Sequence, residues 1–260
     1  MADETTIPDA WRRRSPLMTE GGWRTLQTIQ QHADAPRWSY TVGDRVEGSD
    51  LAPLDDYRRR VMRREGAQTG PTPSAAMLDW VRAQRAISPI FERLIPHGFD
   101  LERGWAHLPT MSREDIASRL ELIVPRDADL SRVLTYDTSG TTGHAIYMPH
   151  HPRAVALGHA LLEYVMARWG RPLAPRAGEV VGANLCAQAK TYIFPTIFTV
   201  WDQAGFVKVN LRESDWSTGR AGAGRFLQDM APQFITGDPV TFAELLDWDL
   251  KLTPNLLIST

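Results

Sequence analysis

Six consecutive small residues, Thr138, Ser139, Gly140, Thr141, Thr142 and Gly143, carry the clearest chemical potential in this chain of 260 residues. Glycines at 140 and 143 open backbone conformations closed to other residues and let a main chain approach a ligand closely. Successive backbone N–H groups in such a stretch can line a concave anion site. The hydroxyls of Thr138, Ser139, Thr141 and Thr142 add further hydrogen-bond donors. The same composition also suits an ordinary polar turn, so composition leaves two readings open, turn and phosphate cradle. Two better-known cradles are excluded. Gly143 is followed by His144 rather than by Lys and Ser or Thr, and G-x-G-x-x-G is absent from the stretch.

Other reactive side chains are sparse. Of 29 basic residues only Lys190, Lys208 and Lys251 are lysines, which limits the candidates for any lysine chemistry. Cys186 near Lys190 could be an activated thiol, but a small residue packed behind a strand is the plainer reading. His150 and His151, followed by Pro152, suit the start of a helix better than a metal site. No H-x-x-E-H or C-x-x-C spacing occurs, which argues against a zinc site held by the protein. Asp137 reads as a loop acid that caps nearby N–H groups.

The elements around the hexapeptide follow from periodicity. "RVLTY" (132–136) and "AIYMP" (145–149) read as two short strands on either side of it. A helix follows, with Val155, Leu157, Leu161, Tyr164, Val165 and Met166 as its apolar stripe and Gly170 as its stop. Strands are expected at 179–185, 206–211, 233–237 and 255–259. Helices are expected at 192–204, 219–230 and 239–250. That alternation predicts an α/β fold, a mostly parallel sheet flanked by helices. Upstream, Ser112 and Asp115 form an acidic relative of a capping box, and Pro89 suits the first turn of a helix. The expected organisation is an N-terminal extension with linker over 1–73, a helical lead-in over 74–130, and an α/β nucleotide-binding region over 131–260.

Composition narrows the function classes. A net charge of −2 gives no electrostatic reason to expect nucleic acid. One cysteine excludes an internal disulfide and suits a cytoplasmic setting. No apolar run approaches the roughly twenty residues of a membrane span. The acidic opening "MADETT" does not resemble a secretory signal.

The string TSGTTG resembles the signature loop of the adenylate-forming enzymes, which include acyl-CoA synthetases, luciferases and peptide-synthetase adenylation domains. Its approach, "LPTMSREDI" followed by "RVLTYDTSGTTG", is similar to the phenylacetate–CoA ligase branch, as are 178–211 and 231–246 downstream. The resemblance spans roughly residues 87–258 and leaves the first 70 or so outside it. It implies the N-terminal portion of an enzyme that uses ATP and Mg²⁺ to activate a small or aromatic carboxylate as an acyl-adenylate. The acyl group then passes to CoA or another thiol. By resemblance, Thr138 to Gly143, with His144 where a lysine is usual, hold the β- and γ-phosphates. Asn184, Tyr192 and Phe194 fall in a region that walls the acyl pocket, and Gly237 and Ser259 lie where acyl or nucleotide groups approach. No residue is assigned a catalytic role. The later acidic motif and C-terminal lysine of the family have no counterpart before Thr260, so a truncated, catalytically incomplete ligase is expected. Two alternatives stand beside it: a remnant that binds nucleotide or acyl group without turnover, and adenylyl transfer to an acceptor other than a carboxylate.

Overall fold

The computed structural model describes residues 6–65, 72–137, 146–248 and 250–259. By contacts the chain forms two compact units: Met1–Met62 with Ala156–Thr260, and Arg63–Val155. Among the described residues the secondary structure is mixed, 47% helical, with a five-stranded, mostly parallel sheet flanked by helices.

The chain opens with α1 (Asp9–Arg14), α2 (Glu20–Gln30) and α3 (Gly48–Arg63). Thr19 starts α2 by accepting a hydrogen bond from Gly22 N at 3.1 Å. The apolar stripe of α2, with Trp23 and Leu26, closes over Ile7, Met18 and Ile197. Sequence periodicity is weak here because much of this segment is held by polar fastenings. Asp44 accepts from Val46 N (3.2 Å) and Thr199 N (2.7 Å), and Arg225 grips Asp34 through two bonds of 2.7 and 2.8 Å.

The unit at 63–155 contains α4 (Ala75–Ile87), α5 (Pro89–Leu94), α6 (Leu101–Gly104), α7 (Arg113–Ser118) and α8 (Leu120–Ile123). Its core gathers Leu78, Val81, Ile95 and Leu101. Pro89 stands at the start of α5 as expected, and Ser112 with Asp115 makes the reciprocal capping box of α7. β1 (Leu134–Asp137) and β2 (Tyr147–His150) then pair antiparallel, from Leu134↔His150 to Asp137↔Tyr147. The two strands expected around the hexapeptide are therefore present and paired. Residues 138–143, with His144, lie outside the described residues.

Helix α9 (Pro152–Arg168) follows, started by His151, whose Nδ1 accepts from Arg153 N at 3.2 Å. Gly170, with φ +71°, stands just past its end. Then come β3 (Val180–Cys186), β4 (Phe194–Phe198), β5 (Ala204–Asn210), α10 (Gly219–Met230), β6 (Phe234–Gly237), α11 (Pro239–Leu246) and β7 (Leu256–Ser259). The sheet order is β4-β5-β3-β6-β7, with β4 antiparallel to β5 and every other pair parallel.

The stretch 192–204, expected as a helix, is a strand and a short 3₁₀ turn instead. Phe194, Ile197 and Phe198 favour a pleated surface, and Pro195, which cannot donate to a ladder, is tolerated on an edge strand. Asp202 and Gln203, both left-handed (φ 51° and 62°), reverse the chain into β5.

Two apolar layers hold the sheet. Ala183, Leu185, Val207, Val209 and Ile235 pack with Phe226, Leu227 and Trp216 on the α10 side. Val181, Phe206 and Phe234 pack with Met166 of α9 and with Trp201 on the other. A shift in register between Val180 and Gly182 moves Val181 to this second face. Gly182 is obligatory there, because a Cβ would sit 2.3 Å from the Phe234 ring.

Candidate functional site

On the second sheet face the aromatic layer stops short of the strands' carboxyl ends. Beyond Phe206 and Phe234 the pairing places Phe194, Lys208, Asn184, Thr236 and Ile258 side by side across all five strands. Cross-strand partners share a face, so these five residues form one row. Each is half-buried, whereas their neighbours Ala183, Leu185, Val207, Val209 and Ile235 on the opposite face are fully buried. A half-buried lysine, asparagine and threonine in one row form a polar shelf above an apolar floor.

The connections point to the same place. From β3 the chain moves outward to β4 and β5, and from β6 it moves the opposite way to β7. Open parallel sheets bind ligands at the carboxyl ends of such diverging strands. Asn184 and Cys186 end β3 there. Gly237 ends β6 opposite Ser259 of β7, and Asp238 caps α11 by accepting from Thr241 N at 2.7 Å. Gly237 sits close against its neighbour: a Cβ there would lie 3.2 Å from Leu185 O.

Of the substrate-side residues expected from sequence, Asn184, Phe194, Gly237 and Ser259 lie at one end of the sheet, Phe194 and Ser259 on its opposite edge strands. Tyr192 lies just before β4, exposed, with its ring 4.9 Å from Tyr40, which in turn is 6.3 Å from Phe194. Tyr40 is held there because its N–H and that of Ser39 both donate to Ile193 O at 3.1 Å. Thr138, Ser139, Gly140, Thr141, Thr142, Gly143 and His144 lie outside the described residues.

Cys186 is buried, and its Sγ lies 3.5 Å from Asn184 Oδ1. Burial pushes its thiol up, while Lys208 and Thr191 pull it down and Asp238 raises it further. A thiol held protonated is a packing residue, not an activated nucleophile. The neighbouring Asn210 is buried and fixes the turn after β3. It accepts from Gln188 N (3.1 Å) and donates to Gln188 O (2.9 Å) and Asp215 Oδ2 (2.8 Å).

Lys208, Thr236, Asp238 and Asn210 are the residues that sequence reasoning did not single out for this site. The alternation in "FVKVN" was the available signal for Lys208, since it puts a cation between valines that face the core. Among the described residues no group of three or more His, Cys, Asp or Glu could hold a metal ion, so no residue is assigned to Mg²⁺. Among the same residues no helix is long and apolar enough to cross a membrane.

Compared with protein-family models, with curated proteins and with solved structures, the chain matches none.

Proposed function

We propose that the chain provides the nucleotide- and acyl-binding part of an ATP-dependent acid–thiol ligation of the phenylacetate–CoA ligase type. The observation that carries this reading is one of convergence. By resemblance alone, Asn184 belongs to the acyl-pocket wall and Gly237 and Ser259 to positions near acyl or nucleotide groups, although they are separated by up to 75 positions in sequence. They stand on adjacent parallel strands at the sheet's carboxyl ends. Lys208 stands beside Asn184 in the row, whereas Gly237 and Ser259, one position further along, turn to the other face and bring their backbone to that end.

In this reading a carboxylate oxygen attacks the α-phosphorus of ATP and pyrophosphate leaves. A thiol sulfur then attacks the acyl carbon of the adenylate, and AMP leaves. Charge spreads over phosphate oxygens in the first step, so positioned donors and a cation lower its barrier. Lys208 supplies that charge near the shelf, and Asn184 and Thr236 orient the acyl end. Tyr40, Tyr192 and Phe194 offer aromatic faces at the rim, which suits an aromatic acid. Mg²⁺ supplies neutralisation of the phosphates when bound.

Exchange of labelled pyrophosphate into ATP, run on the natural full-length product with a panel of small and aromatic carboxylates, tests this. Exchange that depends on one of the acids is expected. ATP binding without exchange for any acid would replace the proposal with binding alone. An adenylylated product formed without a carboxylate would replace it with transfer to another acceptor.

A further inference from the structure

A second site, unrelated to the sheet's carboxyl ends, lies between α3 and α9. Leu51, Leu54, Ala156, Ala160 and Val200 wall a cavity of about 180 Å³. Its polar lining is His159, Glu163, Arg58 and Asp55. Three of these four are already engaged. Glu163 accepts from Arg58 Nε at 2.6 Å and from Trp201 Nε1 at 2.8 Å, and Asp55 pairs with Arg59.

His159 is different. Its ring lies 4.3 Å from both Phe198 and Trp201; its Nδ1 has no hydrogen-bond partner but is closed off, so a molecule in the cavity can reach only the other ring nitrogen, Nε2. Burial alone pushes its pKa down, to about 4, so the ring is neutral at pH 7 and offers one N–H and one lone pair. An apolar cavity of about 150 Å³ is enough to take benzene. A charged ligand is disfavoured here: an acid would meet Glu163 and Asp55, and a base would compete with Arg58 for Glu163.

We propose that this cavity binds a small uncharged aromatic molecule bearing one hydroxyl, of phenol size, with the hydroxyl hydrogen-bonded to the His159 imidazole and the ring against the apolar wall.

The test uses the whole chain with its histidine rings labelled with ¹⁵N. Phenol, benzene and benzoate are titrated separately while the ring resonances and thermal midpoint are followed. Phenol is expected to shift the His159 ring nitrogens and raise the midpoint. Benzene, lacking the hydroxyl, is expected to bind about tenfold more weakly, the worth of one hydrogen bond. Benzoate is expected not to bind. Ala156→Leu, which fills the cavity with apolar volume, should abolish phenol binding, and His159→Phe should make phenol and benzene equivalent. Unmoved His159 resonances at millimolar phenol would mean a cavity that holds water only and would overturn the proposal. Equal binding of phenol and benzene by the unaltered chain, tighter binding of benzoate, or phenol binding unchanged by Ala156→Leu would each overturn it as well. Because none of these readouts involves ATP, their failure is separate from failure of the ligase reading.

Discussion

Asp34 and Arg225 meet fork to fork, and the geometry has a measurable consequence in acid. The guanidinium's hydrogen bonds, helped by Thr218, hold the Asp34 carboxyl down at about pKa 2. A depressed carboxylate contributes stability above its unfolded pKa of about 3.9 and loses it as pH falls through the folded value. Chemical denaturation between pH 5 and 2 should show stability draining below about pH 4, and Asp34→Asn should be less stable at pH 7 with a flatter acid limb. His159 acts in the same pH direction for a different reason. Its folded pKa of about 4 lies below the ordinary 6.5, so the unfolded chain takes the proton first on acidification. Stability should decline from about pH 6.5 to 4, by at most about 3.4 kcal/mol. His159→Phe should remove that slope; a slope identical in both proteins would contradict the burial of a neutral ring facing Glu163, Arg58 and Asp55. At this scale the sequence was partly legible. Cys186 was read as a packed residue, and the buried thiol beside Asn184 agrees. The roles of Lys208, Asn210 and His159 were not legible, because each depends on which strand or helix becomes its neighbour.

Strand β3 shows what one element demands of its sequence. Gly182 has the Phe234 ring where a Cβ would be, so Gly182→Ala must displace a buried aromatic. Overpacking of this kind should cost about 1–3 kcal/mol, read as a lowered denaturation midpoint. Asp238→Ala, which removes the N-cap of α11, should cost about 0.5–2 kcal/mol and leave the sheet intact by circular dichroism. The strands at β3, β5, β6 and β7 and the helices at α9, α10 and α11 could be read from their periods and caps. β4 could not. Its alternation of Phe194, Thr196 and Phe198 is short, and Pro195 argues equally against a helix interior and a central strand. Only the pairing with β5, from Phe194↔Lys208 to Phe198↔Ala204, resolves it. That strand carries Phe194, already a candidate by resemblance, into the row; the misread element hid only how Phe194 is placed there.

On the scale of the whole molecule, the sheet recruits residues from far upstream. Residues 1–62 pack with 156–260, and the fastenings at Asp34, Ser39 and Asp44 tie that segment to α10 and to the strands. Beyond the short 23–26–29 period of α2, no sustained periodicity in 1–73 announces this, since hydrogen bonds to distant backbone leave little pattern in a local sequence. The carboxyl-end shelf is the molecular feature on which the functional account depends. Its most direct test is calorimetric titration of ATP with Mg²⁺ into the full chain and into a folded Lys208→Met variant. The account predicts binding by the unaltered chain and an affinity about tenfold weaker in the variant, equivalent to about 1.4 kcal/mol. Absence of ATP binding by the unaltered chain, or equal affinity in the two proteins, would contradict it.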